Sequence, residues 1–188
     1  LSGSGEKDWQ LVVVSNPEKG QKYLDDGFMN PDYEVKAEDG WHDVDVPRSW
    51  TRYEDCGDWD YSIYTNTQMP WQEGDNPSVP QAPTNYNPVG FYRKEFTVKP
   101  SMLQDNGRVL ISFQGVESAY YVYVNGHEVG YSEDSYRPHE FDITDYLNPQ
   151  GEVNTLAVKV HKFCDGTWME DQDMIYDGGI FRDVYLYS

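Results

Sequence analysis

The chain has 188 residues, enough for one domain with its own core. Lysine and arginine total 14 against 33 aspartates and glutamates, a formal net charge of -19. That argues against nucleic acid and anionic membrane as partners, because phosphate binding needs clustered cations. No apolar run approaches the ~20 residues that cross a bilayer, and Leu11 to Val14 is too short for a signal-peptide core, so the compartment stays open.

In chain order, Leu11 to Val14 is compatible with a strand, Glu18 to Asp26 with a turn or short helix, and Asn30-Pro31 with a turn. From Trp41 an alternation appears, with Trp41, Val44 and Val46 among polar residues up to Pro47. Trp50 to Pro88 is long, irregular and rich in proline. Trp59, Tyr61, Tyr64, Trp71 and Tyr86 nevertheless argue for order there, since disordered linkers are poor in aromatics. Phe91 to Val98 reads as a strand, and Val109, Ile111 and Phe113 alternate in the next. Ala119 to Val124 leads into Asn125-Gly126 and then His127 to Tyr131, a hairpin pattern whose two turn positions need positive φ. Glu140 to Ile143, then Leu156, Val158 and Val160, then Val184 to Tyr187 complete the strands. Short strands with turn punctuation and no helical periodicity predict an all-β antiparallel jelly-roll sandwich with long irregular loops and almost no helix. Val109, Ile111, Phe113, Leu156, Val158 and Val160 are expected in its core. Tyr120 to Tyr123 are read as alternating sheet residues, half of them core, in preference to a stacking platform for sugars.

The segment Cys164 to Met174, with Gly179 to Val184 after it, gathers five carboxylates around a tryptophan and glycines. Acids in a glycine-rich loop beside an aromatic offer oxygen acceptors to a polyol or a cation. A carboxylate pair such as Glu170 with Asp173 could be nominated for glycoside hydrolysis, which needs two carboxyls across the scissile bond. The preferred reading of Glu170, Asp171 and Asp173 is instead loop-fixing hydrogen bonds to backbone N–H groups and to Arg182 or other cations. His42, His127, His139 and His161 have no metal spacing and read as surface residues. Cys56 and Cys164 make no disulfide framework and read as two free thiols.

Several elements in order resemble one family. They are Val46-Pro47-Arg48-Ser49-Trp50, Ile63-Tyr64-Thr65-Asn66, Asn87-Pro88-Val89-Gly90-Phe91-Tyr92, Phe113 to Ala119, Gly130 to Ser135, Glu140 to Thr144 and the Cys164 to Val184 stretch. Together, from Trp41 to Tyr187, they resemble the N-terminal sugar-binding domain of family 2 glycoside hydrolases, in its β-galactosidase branch; residues before Trp41 match poorly. The resemblance implies a galactose-binding-like jelly roll over residues 41–188, with 1–40 as an N-terminal arm packing on it, in a single domain 1–188. An immunoglobulin-like domain and a (β/α)8 barrel with the two catalytic glutamates would lie elsewhere in the longer enzyme. No catalytic residue is therefore expected here, and the chain alone should not hydrolyse a β-galactoside. By the same resemblance Asp165 reaches into the barrel's pocket, contacts galactosyl hydroxyls and ligates a monovalent cation together with barrel residues. Gly166 is expected to let the backbone turn sharply beside it. Asn66 contacts the galactose, and Tyr64 supports its loop. Na+ and Mg2+ are the cofactors implied for the longer enzyme, and none for this chain alone. The expected partners are a β-galactoside and the barrel and immunoglobulin-like domains of the same chain; a homo-oligomer is left open. Two alternatives stand beside this reading: a self-sufficient carbohydrate-binding module, and an acidic structural or cation-binding domain.

Overall fold

Alternating side chains on the longer strands have two faces to bury, and both find partners. In the computed structural model, which describes residues 1–54, 59–72, 74–170 and 172–188, the chain runs through β1 (Trp9–Val14), α1 (Pro17–Asp25), β2 (His42–Val44), β3 (Ile63–Thr65), β4 (Val89–Phe96), β5 (Leu110–Phe113), β6 (Val116–Glu117) and β7 (Ala119–Val124). It continues through β8 (His127–Ser132), β9 (His139–Asp142), β10 (Asn154–His161), β11 (Met174–Tyr176), β12 (Gly179–Ile180) and β13 (Val184–Tyr187). Every strand pairing is antiparallel. The main sheet has the order β2-β1-β4-β10-β7-β8, facing a three-stranded sheet β13-β5-β9; β3 with β11 and β6 with β12 form two small ribbons. This is the jelly-roll sandwich that the alternation predicts.

The core lies between the two larger sheets. Val109, Ile111, Phe113, Leu156, Val158 and Val160 are all fully buried there, with Leu11, Tyr92, Tyr120 and Val122. The opposite face of the main sheet is covered as well, by a second cluster of Val12, Phe91, Tyr123 and Ala157 under Tyr23, Phe28 and Trp41. Tyr121 is only partly buried at the margin of that cluster. Asn125, at φ 51°, and Gly126, at φ 85°, make the hairpin turn between β7 and β8.

One feature departs from the sequence reading. Residues 1–40 do more than pack on the sandwich, because β1 is inserted between β2 and β4 as an integral strand. The segment also forms α1, a nine-residue helix, the short-helix alternative read at Glu18 to Asp26. Asn16 caps it, its side chain accepting from the Lys19 N–H at 2.9 Å, and Pro17 takes the first turn, where no N–H is needed. Gly20 lets it approach the sheet, since a Cβ there would stand 3.0 Å from the Phe91 ring.

Trp50, fully buried, anchors the start of the irregular 50–88 segment. Its ring lies in a slot of glycines. A Cβ at Gly90 or Gly178 would meet it at 2.6 and 2.4 Å, and one at Gly179 would meet the Tyr92 hydroxyl at 2.6 Å. Gly178 (φ 85°) and Gly179 (φ 99°) also need the left-handed conformation that glycine adopts freely.

Candidate functional site

The irregular segment is tied to the end of β10 by one buried carboxylate. Asp60 accepts from the Trp50 indole at 2.6 Å, from the Tyr61 N–H at 2.7 Å, from the Tyr86 hydroxyl, and from the Lys162 ammonium at 2.6 Å. The two charged side chains have no solvent exposure. Lys162 donates also to the Tyr61 carbonyl at 2.8 Å. Burial pushes the Lys162 ammonium below its ordinary value, and Asp60 opposes that shift. One residue on, the Asn87 amide clamps Phe163, accepting from its N–H and donating to its carbonyl, both at 3.0 Å. These bonds fix where the loop after β10 starts.

That loop opens with a short 3-10 turn over Asp165–Trp168. The Cys164 N–H donates to Thr167 Oγ1 at 3.0 Å, and Ser118 Oγ lies 3.4 Å from Cys164 Sγ. Cys164 is buried, is not in a disulfide, and has its thiol pushed up by that burial; Cys56 lies outside the described residues. Asp165 is exposed. Gly166 has no left-handed φ; a Cβ there would sit 2.6 Å from Glu133 Oε2, so a larger residue would need the Glu133 carboxylate to swing aside. Glu133, which the Tyr131 hydroxyl also reaches, thus stands against the Asp165 turn. Sequence reading includes Glu133 in a family element and assigns it no role, because only the fold brings residues 133 and 165 together.

Donor atoms of Glu133, Cys164 and Asp165 lie within 4.8 Å of one another. The two carboxylates suit a hard cation such as Na+. The Cys164 thiol, neutral and already engaged by Ser118, does not.

Asn66 is exposed one residue beyond β3. Thr65 pairs with Met174, which places Asn66 opposite the end of the acidic loop that Asp165 opens. Tyr64 is exposed, and its hydroxyl bonds Asp173, which raises the phenol's pKa. Glu170 accepts from the Ser135 N–H at 3.2 Å and is pushed up by burial. Glu170 and Asp173 are therefore engaged separately, as loop fasteners, and Asp171 lies outside the described residues. Arg182 is not the partner of Glu170 or Asp173; its guanidinium donates to the Tyr136 carbonyl at 2.9 Å. Trp168 is a strut, its indole donating to the Gln81 carbonyl at 2.8 Å and its ring 5.2 Å from that of Trp71. The surface reading holds only in part for His161, which is half-buried beside Tyr121, with its pKa pushed down to about 4 by burial and by Lys159.

Glu117 is a second buried acid that the sequence does not flag. One carboxylate oxygen accepts from the Asp177 and Gly178 N–H groups at 3.1 and 3.0 Å, and the other has no partner. Burial pushes its pKa up to about 7. The unfolded chain therefore releases this proton at lower pH than the folded chain does. The Glu117 contribution to stability falls as pH rises from about 4.5 to about 7 and levels off above. Urea unfolding of wild type and Glu117→Gln at pH 5 and pH 8 checks this. The stability difference is expected to move in favour of the glutamine variant at pH 8; a pH-independent difference would contradict it.

The comparisons with known proteins agree with the geometry. The family model described as "Glycosyl hydrolases family 2, sugar binding domain" matches residues 21–188. A β-galactosidase of Priestia megaterium is 50% identical over all 188 residues, which make up 16% of its length. A β-galactosidase of Clostridium acetobutylicum is 52% identical over 130 residues, 69% of this chain and 14% of the relative. The chain thus spans only about one sixth of the length of these relatives. The match also reaches further toward the start than the Trp41 to Tyr187 elements, since the first relative aligns throughout. Among solved structures, a Bacteroides uniformis β-glucuronidase has the same fold, with TM-score 0.62 at 18% identity, over 98% of this chain and 17% of its own. A β-glycosidase of Bacteroides vulgatus gives TM-score 0.56 at 24% identity, over 96% of this chain and 19% of its own.

Proposed function

This chain belongs to the sugar-binding domains of glycosyl hydrolases family 2, and on that premise we propose that it forms one wall of the galactose pocket in a retaining β-galactosidase. The catalytic barrel, with its two glutamates, and an immunoglobulin-like domain lie elsewhere in the longer protein, whose substrates are terminal β-D-galactosides. The identity to β-galactosidases across the whole chain supports the substrate class. One structural observation supports the residues: pairing of β3 with β11 sets Asn66 against the same acidic loop that Asp165 opens. Both side chains are exposed, as groups completing a site with another domain must be. Asp165, with Glu133 beside it, offers oxygen donors to a monovalent cation, which would supply a fixed positive charge for sugar hydroxyls. Mg2+ is assigned to the longer enzyme and to no residue of this chain.

The test is made in the longer enzyme. Asp165→Asn removes the charge and keeps the shape. It should lower kcat/KM by roughly ten- to a hundredfold, since hydrogen bonds to charged groups contribute about 1.5 to 3 kcal/mol, and it should weaken the dependence on sodium. Asn66→Ala should weaken substrate binding and leave the sodium response intact. Unchanged kinetics in the Asp165→Asn enzyme would remove the assignment.

A further inference from the structure

The outer face of the main sheet is only partly roofed. α1 and the segment up to Trp41 cover Val12, Phe91, Ala157 and Tyr123. Toward β8 the cover stops. Register places Lys159, Tyr121 and Tyr131 side by side across β10, β7 and β8, with His161 two residues from Lys159 on the same face. Tyr121, Tyr131 and His161, without Lys159, line a concavity of roughly 350 Å³ together with Phe163, the Pro83 loop and Asp165. The rings of Tyr121 and Tyr131 meet at 4.7 Å with a 49° tilt, forming an open V. Tyr131 is 43% exposed, and the Lys159 ammonium sits 4.1 Å over the Tyr121 ring and holds it in place.

The chemistry of this cleft is selective. Tilted aromatic faces accept the C–H face of a flat, neutral, polyhydroxylated ring. Asp165 accepts hydroxyl hydrogens, and Glu133, outside the cleft, holds the Tyr131 hydroxyl. The His161 imidazole is neutral and can give or take one hydrogen bond. An anionic ligand would meet the Asp165 carboxylate, while the nearby Lys159 ammonium is already seated over the Tyr121 ring. Concavity, an apolar floor and a few polar groups are the usual make-up of a small-molecule site.

We propose that this cleft is a further saccharide subsite beside Asp165, taking a neutral pyranoside stacked on Tyr121 and Tyr131 with its hydroxyls toward Asp165. The proposal goes beyond the pocket-wall role: it shares Asp165 with that role and adds Tyr121 and Tyr131, while Asn66 does not line the cleft.

Titration of the isotope-labelled 188-residue chain with methyl β-galactoside, followed by NMR, tests it. Shift changes should cluster on Tyr121, Tyr131 and His161, with millimolar affinity. Tyr131→Leu keeps apolar bulk on a partly exposed strand and removes the ring; it should weaken binding by about tenfold or more, as loss of an aromatic anchor does. Tyr121→Leu is the second, independent variant, and Asn66→Ala, outside the cleft, should leave the cleft shifts unchanged. Binding that survives both leucine variants, or no change at the three residues, would overturn the proposal. Changes confined to the surroundings of Asn66 would likewise overturn the cleft while favouring the pocket wall.

Discussion

Lys162→Met is expected to cost about 3 to 5 kcal/mol, because removing one partner of a buried pair leaves an uncompensated buried charge. The abandoned partner is Asp60, whose side chain has no solvent exposure. The Trp50 indole, the Tyr86 hydroxyl and the Tyr61 N–H still reach it, which keeps the expected loss toward the lower end of that range. Equilibrium unfolding in denaturant measures the loss. The double variant Lys162→Met with Asp60→Asn should recover a large part of it, since the orphaned charge is then gone as well. A single-variant loss under about 1 kcal/mol would mean that water reaches the pair, as it does for exposed ion pairs.

The second large effect is expected at Phe113. Its side chain is fully buried between the two larger sheets, with ring centroids 5.2 Å from Tyr120 and 6.2 Å from Phe141. Phe113→Ala removes the ring's transfer free energy and leaves a void that neighbours on rigid strands cannot close, a cost of about 3 to 5 kcal/mol. In a domain of this size that should lower the melting temperature by roughly 6 to 20 °C. Calorimetry or thermal circular dichroism reads it directly. A drop of under about 2 °C would place the ring outside the tightly packed core.

The long strands were legible because alternating apolar and polar side chains over a whole strand match the two-residue period of a sheet and no helical period. The Asn125-Gly126 turn fixed one hairpin outright. The ribbon strands β3, β6, β11 and β12 were not legible, being two or three residues each and too short to show a period. Of these, β3 and β11 set Asn66 and the acidic loop together. Asp165 and Asn66 were readable through family resemblance alone, as nothing local separates either from an ordinary turn residue. Glu117, Asp60 and Lys162 were invisible for another reason. A charged residue reads as exposed until the fold shows what surrounds it. His161 was misread in part in the same way, since its partial burial comes from strand partners distant in sequence.

The glycine slot around Trp50 has a consequence for how this sequence can change. Gly90, Gly178 and Gly179 lie in elements up to 129 positions from Trp50 and still behave as one mutational unit with it. Adding a methyl at Gly178 is opposed both by left-handed strain and by collision with the indole. Shrinking Trp50 relieves the second and not the first. Substitutions here are therefore coupled, with effects that do not sum. An engineered variant that alters the loop over the acidic site has to treat Trp50, Tyr92 and the three glycines as a single choice.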